Sequence, residues 1–197
     1  MPRASHEITL ADLMSMDDYA VVREERRRAL DATKALRRVE VGPFATFHFE
    51  SYATMWQQVH EMLFIERGGA AQVAGELEVY NPLVPQGREF VATLMIGIGD
   101  AARRDRELER LGGIEDTVSL KIGDQTVRAV AESEVERTKA SGRTSSVHFL
   151  HFPLTEAQAT RARDDSVPML LEIGHANYPH ITRIGADVRT EIYQDLD

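Results

Sequence analysis

Cysteine is absent from the chain. That excludes thiol catalysis, thiolate-ligated zinc and cysteine-held iron–sulfur clusters within this polypeptide, and it removes any disulfide argument for an oxidising compartment. Long apolar runs are missing too: no uninterrupted stretch approaches the roughly 20 residues that a bilayer-spanning helix needs. The opening Met1-Pro2-Arg3-Ala4-Ser5-His6-Glu7 lacks an apolar signal core, so a cytoplasmic location and no membrane partner are expected. Positive charge is in deficit, with 23 Lys and Arg against 32 Asp and Glu and a formal net charge of −9. Such a balance repels phosphate backbones unless one face is locally basic, so no nucleic-acid partner is expected.

What is there is a globular mixture, 43% hydrophobic and 28% charged over 197 residues. A chain of this size buries roughly 70% of its unfolded surface and needs neither disulfides nor a structural metal for stability. Thr9 caps a short helical stretch over 10–14. Ser15, with Asp18 three positions on, opens a helix that the pattern carries to about Arg38. Its apolar stripe is thin and the charges over 23–28 have mixed signs, the mark of a solvated face. Gly42-Pro43 punctuates, and Phe47 and Phe49 alternate with Thr46, His48 and Glu50 as in a half-buried strand. Ser51 begins a third helix, with Tyr52, Met55, Trp56, Val59, Met62 and Leu63 at helical spacing until Gly68-Gly69. A further helix over 70–80 stops at Asn81-Pro82.

Residues 90–98 are apolar on both faces, as in a covered central strand, and Asp100 caps a helix over 101–111. Strands over 118–122 and 126–131 meet at a Gly123-Asp124 hairpin. Residues 132–142 are polar and read as a helical turn plus loop. A strand over 146–152, a Thr155-capped helix over 156–163, a strand over 169–174, an irregular loop over 175–183 and a terminal helix over 187–196 complete the pattern. This order predicts an α+β fold, a mostly antiparallel sheet with packed helices and an N-terminal helical region. No repeat, low-complexity tract or linker interrupts it. The expectation is a single domain over 1–197, with a helical arm at 1–38 and an α+β body at 39–197.

Gly97-Ile98-Gly99-Asp100-Ala101-Ala102 matches G-x-G-x-x-A after a buried strand, and Asp124 stands at a ribose-contact distance downstream. Against a dinucleotide site, the next strand returns at once through a tight hairpin and the helix opens Ala-Ala-Arg-Arg-Asp, too polar to lie on a parallel sheet. Asp100 as an N-cap explains the same letters. His60-Glu61 begins the H-E-x-x-H zinc pattern, but position 64 is Phe, and Glu61 and Glu66 read as surface carboxylates. A di-iron bundle fails because the one Glu-x-x-His, Glu172 to His175, ends a strand. Neither Gly-x-Ser-x-Gly nor Gly-x-x-x-x-Gly-Lys occurs.

His148 and His151 share a strand at an offset of three, which points them to opposite faces. A hydrogen-bonded core histidine is the simpler reading of His148, beside Leu150 and Phe152. His175-Ala176-Asn177-Tyr178-Pro179-His180 is the most chemically loaded segment. Joined by His148 and Glu172, His175 and His180 would make a nitrogen and oxygen site suited to zinc, iron or manganese. The alternative is a proline-shaped turn whose aromatic ring packs on the sheet.

Several strings occur together: Gln57-Gln58-Val59-His60-Glu61-Met62-Leu63, Tyr80-Asn81-Pro82-Leu83-Val84-Pro85, Ala92-Thr93-Leu94-Met95-Ile96, Gly113-Ile114-Glu115-Asp116 and Val147-His148-Phe149-Leu150. With the 175–180 segment they resemble an uncharacterised bacterial domain-of-unknown-function family of about this length, over nearly the whole chain from Ile8. The resemblance brings no activity or catalytic residue. It implies an accessory role beside rubrerythrin-like and iron–sulfur redox proteins, and it extends to His148, His175, Tyr178 and His180 but not to His151 or the Gly97/Gly99 pair. The expected function is a non-catalytic accessory or binding protein that meets a protein partner through its helical N-terminal region or a sheet edge. The alternatives are a metal-binding protein or metal-dependent enzyme built on the histidines, and a dinucleotide-dependent oxidoreductase resting on the glycines.

Overall fold

The computed structural model describes residues 6–132 and 142–197. Helix α1 (Met16–Ala35) starts where the Ser15 hydroxyl accepts the Asp18 amide, and α2 (Tyr52–Glu66) starts at a reciprocal Ser51/Thr54 cap. Helix α3 is Ala70–Tyr80, α4 is Ala101–Arg110, α5 is Glu156–Ala162 and α6 is Ala186–Ile192. The strands are β1 (Arg38–Val41), β2 (Ala45–Phe49), β3 (Glu89–Ile96), β4 (Val118–Ile122), β5 (Gln125–Arg128), β6 (Val130–Ala131), β7 (Val147–Pro153), β8 (Met169–His175) and β9 (Tyr178–Arg183).

The strands form two antiparallel sheets, one of five in the order β1-β2-β3-β7-β6 and one of four in the order β5-β4-β8-β9. Strand alternation explains the layering. Phe47, Phe49, Phe90, Leu94, Leu150 and Phe152 of the first sheet share one core with Val118, Leu120, Ile122, Met169, Leu171 and Ile173 of the second. Val91 and Phe149 face the other way, into a smaller core under α1, α2, α3 and the segment before α1. The result is three layers, helices on sheet on sheet, an α+β architecture as expected. Among the described residues no helix is long and apolar enough to cross a membrane.

Three details differ from the sequence reading. Helix α1 ends at Ala35, and residues 38–41 are an edge strand whose Val39 and Val41 are buried while Arg38 and Glu40 are exposed. The single strand expected over 126–131 is two. β5 pairs with β4, Ala129 still donates its amide to the Val118 carbonyl, and β6 then crosses to pair Val130 with His151 in the other sheet. The loop expected over 175–183 is strand β9, paired with β8 around a two-residue Ala176-Asn177 turn. The helical turn expected over 132–142 falls mostly outside the described residues.

The dinucleotide crossover is not present among the described residues. β3 lies between antiparallel neighbours, Asp100 caps α4 by accepting the Arg103 amide at 2.7 Å, and Asp124 sits in the β4–β5 turn, ion-paired to Arg161 at 2.8 Å.

Arg37 ties the layers together. Its side chain is 4% exposed. The guanidinium donates to both Asp195 oxygens at 2.7 and 3.0 Å, to Glu191 at 3.1 Å and to the Glu50 and Glu191 carbonyls. Burial raises the Asp195 carboxyl pKa, against the pull of this arginine. Removing Arg37 strands those acids in the interior, so Arg37→Ala is expected to cost about 3–5 kcal/mol. The check is the urea midpoint at unchanged slope. An Arg37→Met, Asp195→Leu double variant should recover part of the loss, since it removes both charges together.

Candidate functional site

The facing helices α1 and α2 hold a polar lock. Glu61 on α2 accepts two hydrogen bonds from Arg23 (2.9 and 2.7 Å) and one from the Tyr19 hydroxyl (2.7 Å), and Gln57 donates to both Tyr19 and Glu61. The Arg23 guanidinium holds the Glu61 carboxyl at about 2, and burial raises the Tyr19 phenol. Glu61 is therefore no surface carboxylate: its side chain is 17% exposed and fully engaged. The signal was two pairs at i, i+4 on separate helices, Tyr19/Arg23 and Gln57/Glu61, but nothing in one dimension says that those helices face each other.

His60 extends the lock. Its ring is buried and lies 3.7 Å, centroid to centroid, from the Trp56 ring. Nδ1 lies 2.8 Å from the Trp56 carbonyl, which only accepts, so Nδ1 donates. Nε2 accepts the Met14 amide at 3.0 Å. Trp56 donates its indole N–H to the Asp12 carbonyl at 2.8 Å, and Asn81 pairs with both backbone groups of Ile8. Residues 6–15 are thereby strapped across α2, which gives Asn81 of the Tyr80–Pro85 string a physical role.

Beside the lock lies a groove of about 590 Å³, walled by Leu13, Met14 and Met16 on one side and Leu63, Phe64 and Val73 on the other. Asp17 and Arg67 also line it. Arg67 ends α2 in the left-handed region (φ 54°), the one non-glycine residue there among those described, and its guanidinium stands 5.9 Å from the Phe64 ring centroid.

The histidine set does not converge. His148 is buried on the inner face of β7, with Nε2 3.1 Å from the Thr144 hydroxyl and 3.0 Å from the Ser145 carbonyl, and Nδ1 3.7 Å from Glu115. His175 sits at the β8 end, 3.3 Å from the Gly112 carbonyl. His180 packs edge-on to Tyr178 and against Gly42, where an added Cβ would lie 2.6 Å from its ring. Tyr178 donates to the Val41 carbonyl and accepts the Phe44 and Ala45 amides, so the ring pins the β1–β2 turn. Glu172 lies on the opposite face of β8 from His175, with Lys121 at 2.8 Å and Ser119 at 3.1 Å. Among the described residues no group of three or more His, Asp or Glu is arranged to hold a metal ion. His148 and His151 do point to opposite faces, as the offset of three required: His151 lies 3.0 Å from Glu89 and 3.5 Å from Glu132.

Fold and site together define a two-sheet antiparallel α+β protein with a strapped helical layer and an apolar groove. The chain belongs to the family described as Protein of unknown function (DUF3501), whose profile matches residues 7–196. It is similar to a protein of unknown function from Burkholderia pseudomallei K96243, whose crystal structure aligns with a TM-score of 0.89 at 36% identity, over 96% of this chain and 99% of that one. No curated protein matches the chain. The family resemblance read from the sequence strings is borne out.

His151 and His60 titrate in opposite senses. Glu89 raises His151 above its ordinary 6.5, whereas burial lowers His60 below it. Stability from His151 is full below 6.5 and is lost as pH rises through the higher folded value. Stability from His60 is present above 6.5 and is lost as pH falls through the lower folded value. Thermal melting against pH should therefore fall on both sides. His151→Gln should flatten the alkaline limb, and imidazole NMR titrations should place the two groups on either side of 6.5.

Proposed function

We propose that the protein is a non-catalytic binding protein whose groove in the helical layer seats the apolar side of an amphipathic helix from a protein partner. The observation that carries this reading is the groove itself, a concavity of about 590 Å³ with methionine, leucine, phenylalanine and valine walls, in the size range of binding sites. Methionine adapts to varied apolar shapes. Helix-in-groove recognition uses apolar anchors with charged neighbours, and Arg67 at the groove offers a cation to an acidic residue beside those anchors. Leu10, Val21, Ile65 and Val79, each more than half exposed, extend the apolar character of the same layer.

The nearby titratable groups favour binding over catalysis. Glu61 is held ionised and fully paired, and both His60 nitrogens are occupied, so neither is poised to move a proton. An accessory role, as the family resemblance implied, is compatible with this reading.

An anionic naphthalene dye probes the groove, because it combines apolar rings with a charge that Arg67 complements. One saturable site with blue-shifted emission is expected. Val73→Glu should abolish it, and Arg67→Glu should weaken it several-fold, with far-UV circular dichroism showing both variants folded. Binding that does not saturate, or that survives Val73→Glu, would overturn the proposal.

A further inference from the structure

The outer face of the four-stranded sheet carries no covering layer among the described residues: Thr126, Arg128, Ile181 and Arg183 are all exposed on it. Strand register sets its side chains in two cross-strand rows. One runs Arg128, Ser119, Glu172, Ile181, and the next runs Thr126, Lys121, Leu170, Arg183. With strands about 4.8 Å apart and the two rows about 6.8 Å apart along the strands, the diagonal from Arg128 to Arg183 measures about 16 Å between backbone positions.

The chain as a whole is at −9, yet these two rows hold three cations and one acid. The acid is already neutralised. Lys121 stands 2.8 Å from Glu172, the Ser119 hydroxyl donates to the same carboxylate, and the lysine keeps that carboxyl below its usual range. The Arg128 and Arg183 guanidinium groups make no ion pair or hydrogen bond among the described residues. Leu170, half-buried, lies next to Arg183 in its row, and Ile181, 51% exposed, stands two residues from Arg183 on edge strand β9. A concavity of about 390 Å³ opens beside Lys121, Arg128 and Glu172, with Asp116 at the same lining, so an incoming carboxylate meets Arg128 there only on the side away from Asp116 and Glu172.

We propose that this sheet face docks an acidic amphipathic segment of a partner protein, with carboxylates on Arg128 and Arg183 and an apolar side chain over Leu170 and Ile181. A purely solvated face would have no use for leucine and isoleucine beside an unpaired arginine. Duplex nucleic acid is the poorer fit, because it carries one charge per about 1.7 Å of axis over its two strands, which would set phosphates against Leu170, Ile181 and Glu172 as well as the arginines. An extended segment with acids four residues apart spans about 13.6 Å, within side-chain reach of two arginines about 16 Å apart, and places the residue midway between them on the same side. Glu-x-Leu-x-Glu is therefore the simplest matching pattern. This surface is independent of the helical groove.

A fluorescein-labelled peptide of three Glu-Ser-Leu-Ser repeats tests the proposal by fluorescence anisotropy. Saturable binding is expected, weakening as salt rises and weakening at least tenfold in an Arg128→Glu, Arg183→Glu double variant. Both positions are exposed, so the melting temperature should be unchanged. Val73→Glu in the helical groove should leave peptide binding as it was, which separates this result from any failure of the groove. The proposal is overturned by no saturable binding, by equal binding to the double variant, by equal affinity for the lysine counterpart of the peptide, or by equal competition from duplex DNA. Light scattering that finds a dimer split by the double variant would overturn it as well, by showing a second copy on this face.

Discussion

One buried arginine joins the chain's distant parts. Arg37 sits where α1 gives way to β1, and its carbonyl accepts the Phe49 amide at the far end of β2. Its guanidinium reaches forward to the start of α2 through the Glu50 carbonyl and across to the C-terminal residues Glu191 and Asp195. The helical layer, the five-stranded sheet and the C-terminal helix therefore meet at one charged side chain. An ion pair in such a place is weak evidence for net stability, since a well-packed apolar substitute can do as well. Its directional hydrogen bonds do impose one arrangement: the fork geometry admits both carboxylates and two carbonyls only if all these elements are correctly placed. Arg189 repeats the device nearby, donating to the carbonyl of Ala162, the last residue of α5, and to those of Asp164 and Val167 beyond it.

The helical layer is held by the same kind of chemistry. Helix α1 buries only Tyr19 fully, too little apolar surface to fix a 20-residue helix by burial alone. The Tyr19, Arg23, Gln57 and Glu61 lock supplies the direction that packing does not, and the strap over 6–15 adds backbone bonds to His60, Trp56 and Asn81. The groove is bounded by these fastened elements, so its shape is largely preset. A preformed site loses little conformational entropy on binding.

Several charged groups inside the fold pair with one another: Glu61 with Arg23, Asp195 with Arg37, His151 with Glu89. Glu50 accepts from Thr54 and Thr93. Paired groups of this kind specify architecture. The unpaired cations lie instead at the surface, on the open sheet face and beside the groove, where they can meet charge from outside the chain.

Much of the architecture was decided by local sequence. The Ser15, Ser51, Asp100 and Thr155 caps, the period-two alternation of β2 and β4, the two-faced apolar run of β3, and the Gly123-Asp124 turn follow from nearest-neighbour sterics and hydrogen bonding, which act over a few residues. The opposed faces of His148 and His151 follow from the pleat alone, and the family strings were legible as letters. Tertiary structure decided the rest. Whether Leu36 and Arg37 continue a helix depends on carboxylates more than 150 residues away. The crossing of residues 130–131 to the other sheet depends on which edge lies open beside them. Glu61 reads as a surface acid until α1 is laid against it, and the histidines read as a ligand set until each is seen among its own separate neighbours. Each of these outcomes rests on contacts between segments distant in sequence, and periodicity along one segment carries no information about what will face it.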